Sequence, residues 1–193
     1  PRRRPSTASL MERHRCAWIE QIAARDTRIM DAQLLSALRA GAAFFASTCL
    51  IAIGGTAALL GQVDRLASVV TDLGGAETIA EPVWEAKLLV LLVLLVNAFL
   101  KFVWAHRLFG YVAVLIGAMP PHYGEGLGAA IGRTDILNRA AARAFNRGLR
   151  HLYFTLAALA WFLGPEALML ATLATGLMLV RREFFSASRR ALL

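Results

Sequence analysis

The chain of 193 residues is 58% hydrophobic and only 18% charged, against about 45–50% and about 25% in a typical soluble domain. That balance excludes a disordered chain and weighs against an ordinary soluble enzyme, while two cysteines exclude both a disulfide scaffold and a four-thiolate zinc site. The composition predicts an all-α fold: an integral membrane helical bundle with amphipathic cytoplasmic helices.

The net charge of +8 is unevenly spread. Residues 1–41 hold eight Arg and four acids, residues 42–61 none, and residues 62–87 two basic and five acidic groups. Residues 88–100 are again uncharged, and residues 101–151 carry seven basic groups against two acids. Basic blocks alternating with one acidic block across apolar runs follow the positive-inside rule. The basic segments and the C-terminus are expected on the cytoplasmic face of a bacterial inner membrane, and residues 62–85 in the periplasm. Because the arginines abut apolar spans, anionic lipid is the expected partner rather than nucleic acid.

Residues 1–41 read as a basic stub and an amphipathic juxtamembrane helix, and residues 42–193 as the transmembrane domain. The stub has no apolar run behind it and is no signal peptide. Ser9 and Glu12 fit a capping box, and no Gly or Pro follows until Gly41. Met11, Trp18, Ile22 and Ile29 share one face of this helix, which is expected to lie on the membrane or on a partner. Residues 41–61, GAAFFASTCLIAIGGTAALLG, would span about 31 Å as a helix, close to the hydrocarbon thickness. Gly54 with Ala58, and Ala43 with Ser47, offer small-residue faces for close helix packing. In the acidic segment that follows, Leu66, Val69, Val70 and Leu73 predict a short interfacial helix.

A second span is expected near 84–105, extending to 118. A continuous helix over 84–118 would measure about 52 Å, so its inner third projects beyond the bilayer and needs a cover. The amphipathic helices before 41 and after 134 are the available covers. The glycines between 124 and 132 fail the spacing of a phosphate loop and mark a turn. Thr134 is placed to cap a helix carrying a basic stripe, Arg139, Arg143, Arg147 and Arg150. That stripe is either solvated or in contact with anionic head groups. Residues 152–180 are apolar but broken at Gly164-Pro165. A hairpin with limbs near 149–163 and 166–181 is preferred over one kinked span, because it keeps Arg181 and Arg182 inside.

Lys101 shares a face with Asn97 and Trp104 inside the second span, and no Asp or Glu lies between residues 86 and 124 to pair with it. An ionisable group in a span is a candidate functional group, with snorkelling to the interface as the alternative. His106 and Arg107 mark the inner boundary. Asp26, Arg28 and Asp31 form a charge cluster in which Arg28 reaches either acid; facing the basic stripe, they would clamp two cytoplasmic helices. No catalytic, cofactor-binding or metal-binding pattern is present, and no cofactor is expected.

The chain resembles a family of multi-pass membrane proteins, domain of unknown function 599. The matching stretches are Arg25-Asp26-x-Arg28-Ile29-x-Asp31, Phe44-Phe45-Ala46-Ser47 and Phe99-x-x-Phe102-x-Trp104-x-x-Arg107. Tyr111, Ile116-Gly117-Ala118-x-Pro120, Asn138 and Phe145-Asn146-x-Gly148-Leu149-Arg150 continue it. It closes with Tyr153-Phe154, Ala160-Trp161-Phe162, Pro165 and Arg181-Arg182-Glu183-Phe184 with Ser186. Gly110 departs from the Asn that members often carry there, and members usually have one more membrane helix upstream. The resemblance implies a multi-pass inner-membrane protein and no particular reaction. A non-enzymatic accessory or scaffold subunit, binding other membrane proteins or its own copies, is the first expectation. A small oligomeric transporter or channel lined by Ser47, Thr48, Asn97 and Lys101 is the second. An enzyme of lipid substrates built on Asp26, Asp31, His106, Arg107 and Arg150 ranks last.

Overall fold

The computed structural model describes residues 5–25, 27–72, 80–120 and 124–193. The expectations for Asp26 and Leu73 fall outside these residues. The order is α1 (Thr7–Ala24), α2 (Ile29–Leu60), α3 (Val63–Asp72), α4 (Glu81–Gly117), α5 (Leu127–Ala158), a 3-10 turn (Leu159–Phe162), α6 (Pro165–Phe184) and α7 (Ala187–Ala191). The fold is all-α, with no strand among the described residues.

Three helix starts differ from the sequence expectation. Ser6, not Ser9, caps α1: its hydroxyl accepts the Ser9 N–H at 3.2 Å, and the Ser9 hydroxyl donates to the Ser6 carbonyl at 2.8 Å. The helix then stops at Ala24 although neither Gly nor Pro is present, and Arg25 is extended. Long-range hydrogen bonds outweigh local propensity here. The break lets Arg25 fold back onto Asp31 at 2.7 Å and lets Arg28 donate to the Ile116 carbonyl at 3.0 Å. The amphipathic helix therefore ends well before residue 41, and the apolar segment belongs to a helix that begins at Ile29. In α5, Thr134 is not a cap but an interior residue whose hydroxyl donates to the Ala130 carbonyl at 2.7 Å. Its helix begins at Leu127, behind Gly126 with φ of 83°.

The chain forms two compact units. Unit 1 is Pro1–Phe44, Phe102–Phe145 and Leu179–Leu193; unit 2 is Phe45–Lys101 and Asn146–Met178. In unit 1 the core joins Ile19, Ile22 and Ala23 of α1, Leu35 and Ala42 of α2, Leu108, Phe109, Val112 and Ile116 of α4, and Ala130, Ala141 and Ala144 of α5. The far end of α4 is thus covered by α1 and the first half of α5, the covers its apolar sequence demanded. The start of α1 also meets the end of α6. The Ala8 N–H donates to Glu183 at 3.1 Å, and the Thr7 hydroxyl to the Glu183 carbonyl at 2.9 Å.

Unit 2 has a smaller core of Val63, Val70, Trp84 and Leu88. Trp84 stacks on Phe162 with ring centroids 5.7 Å apart. The turn into α6 uses Gly164 at φ of 138°, a conformation that side chains with a Cβ rarely adopt, and Pro165 follows at the first helical position, where its missing N–H costs nothing. Chain direction can therefore change at Gly164. Helices α2 and α4 are long and apolar enough to cross a membrane.

Candidate functional site

The polar groups of unit 1 gather along α1. From its face, Glu12 meets Arg143 at 3.0 Å, and Arg15 donates to the Asn138 Oδ1 at 3.2 Å. One turn on, the Trp18 indole N–H donates to the Asp31 Oδ1 at 2.8 Å. The pairs 12 with 143 and 15 with 138 make α1 and α5 antiparallel along this seam. Burial lowers the pKa of the Arg15 guanidinium, and neighbouring Glu12 pulls it partly back; arginine stays protonated all the same. Asp135 pairs with Arg139 at 2.7 Å within α5.

Asp31 is the deepest charged group, 2% exposed. One carboxylate oxygen takes both Trp18 and Arg25, while Oδ2 is buried without a protein partner. The Asn138 Nδ2, the Asp135 Oδ1 and the Nε atoms of Arg39 and Arg139 are in the same condition. His106 Nδ1 lies 3.2 Å from the Arg39 carbonyl, which ties α2 to α4.

The structure redistributes the residues expected to form a cluster. Arg28 reaches the Ile116 carbonyl, and among the described residues Asp31 pairs with Arg25 instead. Asp31 does not face the basic stripe, and the acid that clamps α1 to the stripe is Glu12. The stripe itself divides: Arg139 and Arg143 are paired, while Arg147 and Arg150 are exposed. In α4, Asn97 is exposed, Lys101 half-buried, and Trp104 exposed. Arg107 is exposed and donates to the Tyr111 hydroxyl at 3.0 Å, its guanidinium 6.0 Å from that ring. Among the described residues no three His, Cys, Asp or Glu side chains come together as a metal site.

Sequence reasoning missed Arg39, Trp18 as a hydrogen-bond donor, and Lys87. Lys87 is 3% exposed in unit 2, its Nζ 3.0 Å from the Trp161 carbonyl and 4.8 Å from the centre of the Trp84 ring. The available signal was Trp84 three residues before Lys87, a helical spacing that brings ring and ammonium together.

Two consequences are measurable here. The Glu12–Arg143 pair is 33% and 47% exposed, so Glu12→Gln is expected to cost no more than about 1 kcal/mol. Thermal unfolding in detergent reads this directly, and a loss of several times that would make the pair a buried clamp. The Cys16 thiol is pushed up from 9.0 by desolvation, then by Asp135 and by Glu20, whose carboxylate lies 3.7 Å from Sγ; Arg139 opposes. The folded state thus disfavours the thiolate, and stability falls as pH rises above the unfolded thiol's value. At pH 8, iodoacetamide is expected to alkylate Cys16 more slowly than free cysteine, and faster in Glu20→Gln. Equal rates in the two proteins would remove Glu20 as a cause.

These features define a class: an all-α protein with, among the described residues, two helices long and apolar enough to cross a membrane. A family model described as protein of unknown function, DUF599, matches residues 1–188, and the chain belongs to that family. No curated protein and no solved structure matches the chain.

Proposed function

We propose that this chain is a multi-pass inner-membrane protein that acts as a non-enzymatic accessory or scaffold subunit. The carrying observation is the outward apolar surface: Ile51 of α2 is 77% exposed, Val93 of α4 65% and Leu173 of α6 61%, among many like them. Water does not tolerate such a surface over several turns of three helices, and a bilayer does. The alternation of charge supports a topology with the basic segments in the cytoplasm and residues 62–85 outside. The arginines then face anionic head groups. The buried charges of unit 1 bind one another and the backbone in ways that hold helices together, which favours a structural role over chemistry.

The test is extraction of the protein from native membranes in a mild detergent, with mass measurement of whatever stays bound. A stoichiometric second membrane protein supports the accessory reading. A bare homo-oligomer overturns it and favours a second reading, in which Asn97 and Lys101 line an oligomeric pathway. The exposure of Asn97 within the apolar run 88–100 supports that alternative, since a polar group facing lipid normally finds a partner. In that case Lys101→Met abolishes flux in proteoliposomes.

A further inference from the structure

Between α2 and α4 of unit 1 lies a cavity of about 100 Å³, lined by Ala32, Leu35, Ser36, Arg39, Ala113 and Ile116. We propose that it binds a single phosphate-type oxyanion, with Arg39 as its principal cation and Arg28 at its other end. Arg28, Ala32, Ser36 and Arg39 follow at steps of four, four and three, which sets them along one face of α2 and its first turn.

The two arginines are held in place by different groups. The backbone carbonyl of Arg39 is tied to His106. Its guanidinium passes over Gly110, where an added Cβ would lie 4.0 Å from Cζ, and its Nε has no partner. Among the described residues no carboxylate pairs with Arg39 or Arg28. Arg28 spends one N–H on the carbonyl of Ile116, a residue that lines the cavity.

A pocket with a guanidinium, a serine hydroxyl and no acid in its lining selects an anion. The planar donor fork of arginine matches phosphate oxygens two at a time. The space of about 100 Å³ is enough for a phosphate group. The walls contributed by Ala32 and Ala113 are small, so the anion can approach the backbone closely.

The position points to a source. Arg39 is the last charged residue before residues 40–63, which carry no charge. If α2 crosses the bilayer, as proposed above, the cavity sits at the level of the head groups, where basic pockets between helices hold anionic lipid. A free phosphate ion would use the same donors without that premise.

The experiment uses the full chain in a neutral detergent, titrated separately with inorganic phosphate and with dihexanoyl phosphatidylglycerol, and read by calorimetry. Saturable binding of one molecule per chain is expected, weakened about tenfold or more in Arg39→Gln. Arg147→Gln, which removes an exposed charge elsewhere, should leave it unchanged. Ala32→Leu keeps both arginines and fills the cavity, and should abolish binding while the protein remains folded. Binding of the lipid alone identifies a head-group site, and equal competition by phosphate identifies a free-anion site; both support the proposal. No saturable binding of either probe, or equal weakening in Arg39→Gln and Arg147→Gln, overturns it. Failure of the membrane reading appears separately, as release of the protein from membranes by alkaline carbonate.

Discussion

Replacing Asp31 with Ala is expected to lower stability by about 2–4 kcal/mol, since it leaves a half-buried indole N–H and an arginine without their shared acceptor. The lower part of that range reflects Arg25, which is 45% exposed and recovers solvation when its partner is lost. Asp31→Asn keeps a carbonyl for Trp18 at 2.8 Å and loses only the charge, so it should cost about 1 kcal/mol. Chemical unfolding of both variants in the same detergent separates the two contributions. Equal losses would assign the effect to the ion pair and remove Trp18 as the main anchor. A cycle combining Asp31→Ala with Trp18→Phe should then give a coupling energy near zero.

Lys87→Ala is expected to be the most damaging change in unit 2, at about 3 kcal/mol. It removes a packed stem, a hydrogen bond to the Trp161 carbonyl and a cation over the Trp84 ring. Lys87→Met retains most of the packing and sheds the cost of desolvating an ammonium that no carboxylate answers, so about 1 kcal/mol should remain. Tryptophan fluorescence follows both unfolding curves, because Trp84 and Trp161 flank the ammonium. If Met costs as much as Ala, charge and not packing holds this corner.

The elements with a strong one-dimensional signal were legible in the sequence. The uncharged runs of α2 and α4, the excess length of α4 and the break at Gly164-Pro165 each follow from composition, residue rise or a backbone rule. So did the need for amphipathic helices to cover residues 108–118. The end of α1 at Ala24 was not legible, because no local breaker marks it. It exists for bonds to Asp31 and to the Ile116 carbonyl, the second of them 88 residues away. The same reason hid the true partner of the basic stripe. Glu12 stood where a capping glutamate is expected, and nothing in its spacing spoke of Arg143. Arg28 and Asp31 were recognised as a charged group but given to each other, since helical neighbour rules assume the helix continues through them. Arg39 drew no notice because an arginine before an apolar run reads as an ordinary interface anchor. Only the cavity beside it sets it apart.

The seam between α1 and α5 imposes an order on biosynthesis. Glu12 and Arg143 are 131 residues apart, and Arg15 and Asn138 are 123 apart. At about 5–20 residues per second, α1 waits roughly 7–26 s for its partner to be made. During that interval Ile19 and Ile22, fully buried once folded, have nothing of unit 1's α5 to rest on. A helix with apolar residues such as Ile19 and Ile22 on one side and charged ones on the other finds a temporary berth on the membrane surface. The segment translated before any of its partners in this seam is therefore among the last to settle, and its polar face acts as a latch that closes when α5 arrives.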